Sequence, residues 1–425
     1  MTDTQANTTQ LTIIKGGKLS EKEFLALPFT EKVDYLKRLS PKAKLDMITA
    51  DPEGKRLTCA LIPQELFWTI KEIGEQDAME LIDYASPEQI AFFLDMEVWI
   101  KWSYSRESGV EWLERLLECG EAKIVETIPQ LDQELLLLMF RKEIEVGGGV
   151  GELVTDEERL IPWDHSFDNI YFITFLHKES SHLVAKLLDI LFRRAKNLYL
   201  GLMEGVKNEM DSELEDQAFR FRSGRLADLG FPELDDALAV YAPLDPASFA
   251  PAHAKEPVYG VVAPPVPVHL VEGTLLERIL SGGVSETVLT ELNYLLNAAL
   301  VAEEVQFSDT EAMTTVFQRV YGYLNIALEY LSEGDETRAT EIINNEYLKR
   351  LFQLGFGLVT RLRHEAKRLR RETDDFSYAS GKVLEGLSTP RPRFYRGLDP
   401  DNADAYREFR SMADVRVMEE FLRSI

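Results

Sequence analysis

Two stretches of the sequence decide the fold class: IPQELFWTIKEIG at residues 62–74 and IPQLDQELLLLMF at residues 128–140. Both begin with the same tripeptide and continue into a strongly apolar segment. A shared opening followed by a heavily apolar helix in each stretch indicates a degenerate helical repeat. Helices of this length are marginal in water by themselves, and we therefore expect them to pack against neighbours.

Similar helix starts recur across residues 19–146. Ser20 and Glu23 have the spacing of a capping box. A capping side chain followed by proline marks three further starts, at Ser40-Pro41, Asp51-Pro52 and Ser86-Pro87. Apolar residues at spacings of three and four follow these starts. The pattern predicts an array of short stacked helices that resembles a solenoid, although no fixed period relates the helices.

The remaining sequence divides at segments rich in glycine or proline. Seven of the residues between 243 and 268 are proline, which bars regular helix there and indicates a linker. The predicted organisation is a flexible leader at 1–18, the short-helix array at 19–146, a connector with short strands at 147–178, long helices at 179–242, a proline-rich linker at 243–270 and a helical bundle with a C-terminal docking helix at 271–425.

Four local predictions accompany this division. The run VGGGVGEL at residues 146–153 lacks the spacing of a phosphate-binding loop and is interpreted as a hinge or loop. Residues 181–206 keep apolar side chains on one stripe, which predicts a single amphipathic helix of about six turns. Three long antiparallel helices follow residue 271, and a last helix at about residues 403–422 docks on them. The predicted fold class is all-α, with at most a few short strands near residues 160–176.

The composition is that of an ordinary folded protein with a large acidic surplus. Of 425 residues, 45% are hydrophobic and 28% are charged, and 73 acidic against 47 basic residues give a formal net charge of −26. A disordered or collagen-like chain is excluded. Because the surplus repels phosphate backbones, we predict no nucleic-acid partner and no binding of anionic lipid over the whole surface.

Apolar runs such as Leu135–Phe140 are far shorter than the roughly 18 residues that a membrane-spanning helix needs. The sequence therefore predicts no membrane span. The first residues, MTDTQANTTQ, lack the basic and apolar regions of a secretory signal, so a cytoplasmic location is predicted.

Potential metal ligands come closest together in the sequence at Asp164, His165 and Asp168. His177 and His182 follow, but a separation of five residues places them about 140° apart on a helix, so they do not face one ion. The motifs of zinc enzymes and of nucleophilic hydrolases are missing from the sequence. We predict no metal site, no cofactor and no catalytic residue, and leave open whether the chain is an enzyme.

Two sets of residues are interpreted as core. Cys59 and Cys119 each lie in an apolar helical stretch without a CxxC motif or a nearby histidine, so we favour small core residues over a redox or metal role. The large aromatic side chains are interpreted as fillers between stacked helices, with exposed anchors for a partner as the alternative. They are Trp68, Phe92, Phe93, Trp99, Trp102 and Trp112.

A basic segment near the end of a long predicted helix stands out in so acidic a chain. Basic residues in the last turns of a helix offset its dipole, which accounts for part of this segment. The rest predicts contact with an acidic surface of this chain or of a partner, or binding of an anion. The residues are Arg361, Arg363, Lys367, Arg368, Arg370 and Arg371, followed downstream by Arg391, Arg393 and Arg396.

Several strings resemble a bacterial family known only as a numbered domain of unknown function, number six-one-seven-eight. They are IKEIGEQDAMELIDYASPEQIAFFLDMEVW (70–99), WLERLLECG (112–120), MFRKEIEV (139–146), RSGRLADLGFPELDDALAVYAPLDP (222–246) and RPRFYRGLD (391–399). The resemblance covers most of the chain. It implies a cytoplasmic bacterial protein and supplies no reaction, cofactor or functional residue.

Residues 70–96 are also similar, in their succession of short helices, to the cytosolic N-terminal helical domain of MgtE-type magnesium transporters. The similarity extends beyond this string to about 80 residues of short stacked helices. The chain departs from the transporter after them, since it lacks the apolar segments of membrane helices.

Two functions remain open from the sequence. The first is a scaffold or regulatory protein that holds a partner protein on the array or at the basic segment. The second is an enzyme or ligand-binding protein with a pocket between the two helical parts, near residues 163–168 and the basic segment. The oligomeric state is not predicted.

Overall fold

The computed structural model describes residues 19–149, 163–251, 255–256, 273–372 and 376–425. The described chain is helical apart from three two-stranded hairpins, which confirms the predicted all-α class. Within these ranges no helix combines the length and the apolar composition needed to cross a bilayer.

The predicted array consists of short helices, as the capping pattern indicates. Their bounds are α1 (Glu21–Leu25), α2 (Phe29–Leu36), α3 (Pro41–Ala50), α4 (Gly54–Cys59), α5 (Pro63–Ile73), α6 (Met79–Tyr84), α7 (Pro87–Glu97), α8 (Arg106–Glu118), α9 (Glu121–Thr127) and α10 (Gln133–Arg141). The first stretch forms α5, which begins at Pro63. The starts predicted at Ser40-Pro41 and Ser86-Pro87 are confirmed. The start predicted at Asp51-Pro52 is wrong, because Asp51 ends α3 and α4 begins at Gly54. The second stretch differs, because Ile128–Gln130 forms a separate 3-10 helix ahead of α10.

Three antiparallel hairpins interrupt the helices. They pair β1 (Trp99–Ile100) with β2 (Ser103–Tyr104), β3 (Ile144–Gly148) with β4 (Tyr171–Phe175), and β5 (Phe394–Tyr395) with β6 (Tyr406–Arg407). Strand β4 lies where strands are predicted. The other described strands lie outside residues 160–176, and the two-residue strands are too short to produce the alternating pattern by which a strand is recognised.

The interpretation of residues 146–153 as a hinge is wrong for Val146, Gly147 and Gly148, which belong to β3. A Cβ atom at Gly147 would lie 2.3 Å from the ring of Trp163. Gly148 has a φ of +75°, in the region that favours glycine. These two glycines therefore allow close packing of the hairpin, while residues 150–153 lie outside the described residues.

The next helices are α11 (Ser181–Arg194), α12 (Lys196–Asn208), α13 (Asp211–Asp228) and α14 (Leu234–Leu238), followed by a 3-10 helix at Ala239–Tyr241. The single helix predicted over residues 181–206 is two helices. The chain breaks at Ala195, where φ is −139° and ψ is 54°. The break lets α11 and α12 pack against each other, which the apolar stripe alone does not reveal.

The bundle contains α15 (Leu275–Gly282), α16 (Glu286–Ala302), α17 (Thr310–Ser332), α18 (Glu336–Asn345), α19 (Leu348–Glu372), α20 (Tyr378–Ser388) and α21 (Met412–Ser424). Helices α16, α17 and α19 pack on one another as long helices. The last helix docks on α17 and α19 through Val415, Met418 and Leu422. It begins later than predicted, because Tyr406–Arg407 forms β6.

Array and bundle share one continuous hydrophobic core. The rings of Trp68 in α5 and Phe317 in α17 meet edge to face, with centroids 5.2 Å apart. The buried amide of Gln64 donates a hydrogen bond to Oδ1 of Asn297 at 2.8 Å. The two parts are thus in direct contact, and the division of the chain into folding units stays a prediction.

Candidate functional site

A pocket of about 380 Å³ lies where the array, α13 and the bundle meet. Its volume is in the range of about 300–1,000 Å³ typical of small-molecule sites. Most of its surface is apolar. The apolar lining includes Trp99, Phe219, Leu226, Phe231, Leu300 and Phe307.

Each wall of the pocket is held by packing from a different part of the chain. Trp99 of β1 meets Phe219 of α13 edge to face, with ring centroids 5.6 Å apart. Phe231 meets Phe307 in the same way at 5.8 Å. Leu300 of α16 is fully buried behind them. The shape of the pocket therefore depends on the array, α13 and the bundle together.

One buried polar atom of a lining residue has no partner among the described residues. Trp99 is 5% exposed, and its indole Nε1–H lacks a hydrogen-bond acceptor among the described residues. An unpaired buried donor costs about 1–3 kcal/mol relative to one that is hydrogen-bonded. An acceptor on a bound molecule is the kind of group that would remove this cost.

Arg222 supplies a positive charge at the same wall. Its Nε donates a hydrogen bond to the backbone carbonyl of Asp95 at 2.6 Å. The guanidinium carbon lies 5.9 Å from the ring centroid of Trp99 and 5.6 Å from that of Phe219. Burial lowers the pKa of Arg222 to about 10. The guanidinium is partly buried, and it forms no ion pair with the described residues.

Arg222 is positioned by a neighbouring ion cluster. Both oxygens of the fully buried Asp95 accept hydrogen bonds from Arg225, each at 2.7 Å. Arg225 also pairs with Asp132, which precedes α10. The cluster ties α13 to α7 and α10, and so it fixes the backbone from which Arg222 projects one helical turn away.

An ion pair spans the mouth of the pocket. Lys101 from the β1–β2 turn and Glu304 from the α16–α17 loop lie 2.6 Å apart between Nζ and Oε2. Both have positive φ, 59° and 50°. Asn tolerates this region, whereas Lys and Glu are strained there, by about 1–2 kcal/mol each. Strained residues cluster at ligand sites, and here two of them face each other across one opening.

The candidate metal ligands have structural roles. Oδ2 of Asp164 accepts a hydrogen bond from the backbone N–H of Phe175 at 2.9 Å. Oδ1 of Asp168 accepts two, from the N–H groups of Ile170 and Tyr171. His165 packs edge to face on Phe167. Nowhere in the described chain do three or more His, Cys, Asp or Glu side chains form a group arranged for a metal ion.

The basic segment lies on the last turns of α19, away from the pocket lining. Arg361 pairs with Asp245 at 3.0 Å, and Arg368 pairs with Glu365 at 2.7 Å. Arg363 is half-buried, and its Nε has no hydrogen-bond partner in the described chain. The remaining three form no ion pair within the described ranges: Lys367, Arg370 and Arg371. Their contact with a partner or an anion stays a prediction.

The downstream arginines, in contrast, bind acidic residues of this chain. Arg391 pairs with Glu303, Arg393 with Glu408 and Arg396 with Asp401. Glu303 and Glu408 also bind Arg319, whose side chain is 3% exposed. Part of the predicted acidic contact is therefore internal, within the bundle.

The core interpretation of the cysteines is wrong for Cys59, which is exposed at the end of α4. Its Sγ donates a hydrogen bond to the carbonyl of Tyr84 at 3.3 Å. Cys119 is half-buried, and burial raises the pKa of its thiol to about 11. Burial also raises the pKa of Cys59. Neither thiol has the lowered pKa of a reactive cysteine.

A family model described as a family of unknown function, DUF6178, matches residues 21–425. The chain belongs to DUF6178. The match confirms the resemblance predicted from the strings between residues 70 and 399. No curated protein and no solved structure matches the chain. The similarity of residues 70–96 to the magnesium-transporter domain stays a prediction.

The sequence of this DUF6178 member gives one usable signal for the pocket. The core interpretation is wrong for Trp102, which is 60% exposed. It is confirmed for the other aromatic residues, which are buried: Trp68, Phe92, Phe93, Trp99 and Trp112. Trp99 and Trp102 both line the pocket. The stretch WIKW at residues 99–102 places two tryptophans around a turn. The predicted position near residues 163–168 differs from that of the pocket, to which neither those residues nor the basic segment contributes.

Proposed function

We propose that this chain is a ligand-binding protein that holds a small, largely apolar molecule in the pocket between the array and the bundle. The observation that carries this proposal is an apolar pocket of about 380 Å³ whose mouth is bridged by the strained pair Lys101 and Glu304. Apolar pockets with a few fixed polar groups are the usual form of a small-molecule site.

Burial of an apolar ligand supplies the binding energy in this proposal. Removing apolar surface from water contributes about 25 cal/mol for each Å². The aromatic walls are already formed, because Trp99, Phe219, Phe231 and Phe307 contact one another in pairs without a ligand. A ligand then loses little of this energy to rearrangement of the protein.

The test uses a neutral apolar fluorophore, N-phenyl-naphthylamine, whose emission rises in an apolar site. We expect saturable binding to the wild-type chain. Val301→Trp places a large side chain in the pocket lining and is expected to weaken binding about tenfold or more, equivalent to about 1.4 kcal/mol. Val417→Trp, at a 41% exposed position of α21, is the matched control and should leave binding unchanged. Absence of binding to the wild type, or equal binding to both variants, rejects the proposal.

Protein binding is a second candidate, and it is the function that the sequence predicted first. The observation in its favour is a set of exposed apolar side chains on the β1–β2 hairpin and α14: Ile100, Trp102, Leu234 and Leu238. A partner with an apolar surface would cover them. Trp102→Asp should then release a co-purifying host protein that Trp102→Phe retains, and identical recovery with both variants counts against it. The cytoplasmic location stays a prediction.

A further inference from the structure

The polar groups at one wall of the pocket indicate the chemistry of its ligand. We infer that the ligand is an amphipathic monocarboxylate, whose carboxylate is bound by Arg222 while its apolar part fills the pocket. This inference rests on the proposed ligand-binding function and adds the chemical class of the ligand. Its support comes from the hydrogen bonds of Arg222, from the charges around it and from Trp99.

The guanidinium of Arg222 has hydrogen-bond donors that are not used by the described chain. Its Nε is occupied by the carbonyl of Asp95 at 2.6 Å. The two terminal amino groups, Nη1 and Nη2, have no acceptor among the described residues. Together these two groups present parallel N–H bonds with the spacing of the two oxygens of a carboxylate. The contacts with the rings of Trp99 and Phe219 hold the planar guanidinium against the pocket wall.

The acidic side chains near Arg222 form hydrogen bonds or ion pairs with other residues, or are solvated by water. Asp95 gives both of its carboxylate oxygens to Arg225. Glu304 is paired with Lys101 at the mouth. Glu233, which also lines the pocket, is exposed and so is solvated by water. Of the two basic side chains in the lining, Lys101 and Arg222, Arg222 is therefore the one that forms no ion pair with the described chain, and an anionic ligand supplies a counter-charge.

Trp99 adds a second, independent observation. Its buried indole Nε1–H has no acceptor among the described residues, although Trp99 is part of the pocket lining. Carboxylate oxygens accept several hydrogen bonds, and charge-assisted bonds are stronger than neutral ones. Because Nε1 has almost no accessible surface, a carboxylate beside Arg222 accepts a hydrogen bond from it only after the indole ring turns toward the pocket. A neutral apolar ligand leaves both groups unsatisfied.

The first experiment compares two ligands that differ in the head group alone. Decanoate and decanol are titrated against the wild-type chain at neutral pH, with displacement of N-phenyl-naphthylamine as the readout. We expect decanoate to bind about tenfold or more tightly than decanol. Equal affinities, or tighter binding of decanol, overturn the inference but leave the proposed function intact. If neither ligand displaces the fluorophore and the fluorophore itself does not bind, the proposed function fails as well.

The second experiment removes the charge. Arg222→Met should abolish the preference for decanoate, so that the two ligands bind with similar affinity. Saturable binding of N-phenyl-naphthylamine to the variant shows that the pocket remains formed. Arg220→Met is the matched control, because Arg220 lies two residues away on α13, is exposed and pairs with Asp216. It should keep the full preference. A variant at position 222 that still prefers decanoate as strongly as the wild type overturns the inference. Should Arg222→Met not fold, the wild-type comparison of the two ligands decides alone.

Discussion

Replacement of Arg319 by Met is expected to lower the free energy of unfolding by about 3–5 kcal/mol. The guanidinium lies inside the bundle, where its Nε and Nη2 donate to Glu408 at 2.8 and 3.0 Å and its Nη1 donates to Glu303. The side chains of Arg319 and Glu408 are 3% and 4% exposed. Removing the cation leaves Glu303 and Glu408 in a poorly solvated site with only the more exposed Arg391 and Arg393 as counter-charges, which is the costly way to break a buried ion pair.

Urea denaturation of the wild type and of Arg319→Met measures this difference. The matched control is Arg338→Met, because Arg338 is 57% exposed and pairs with Glu333 at 3.8 Å. An exposed pair of this kind contributes at most about 1 kcal/mol. Similar losses in the two variants would show that the buried cluster does not stabilise the bundle as argued.

Replacement of Gly355 by Ala is expected to destabilise the chain by about 1–3 kcal/mol, through overpacking where α19 crosses α17. A Cβ atom at this position would lie 2.0 Å from the carbonyl oxygen of Tyr323. Because that oxygen belongs to the backbone of α17, a helix has to move to make room. Alanine favours the helix by about 0.5–1 kcal/mol relative to glycine. The sign of the change in the free energy of unfolding therefore tells whether overpacking or helix propensity dominates.

Gly201→Ala is the control, and it is expected to stabilise the chain rather than destabilise it. Gly201 lies inside α12, is exposed, and a Cβ atom there would have no atom within 4 Å. The free energy of unfolding of this variant should rise by about 0.5–1 kcal/mol. Thermal and urea unfolding of the two variants give the comparison. A gain in stability for Gly355→Ala would contradict the close crossing of α17 and α19.

The helical array was predictable because helix starts are local signals. A capping residue followed by proline, as at Ser40-Pro41 before α3 and Ser86-Pro87 before α7, acts within one turn. The break at Ala195 was not predictable, since the apolar stripe continues through it. It depends on how α11 and α12 pack, which a local pattern does not contain.

Apart from the tryptophans at residues 99–102, the residues of the pocket could not be predicted from the sequence, for a related reason. Trp99, Arg222 and Glu304 lie more than 80 residues from one another along the chain, and none of them belongs to a catalytic or ligand-binding motif. Their proximity follows from how α13 is tied to the array and from how the β1–β2 turn meets the α16–α17 loop. The downstream arginines show the same limit, because the ion pairs of Arg391 and Arg393 with acidic residues of the bundle are tertiary contacts.

The central claim is that the pocket between the array and the bundle is a ligand site. The most direct measurement is a crystal structure of the wild-type chain with ω-bromodecanoate, in which anomalous scattering locates the bromine. We expect the bromine peak among Phe231, Leu300 and Phe307, inside the pocket. A peak elsewhere on the chain, with the pocket empty while the ligand binds in solution, would contradict the claim.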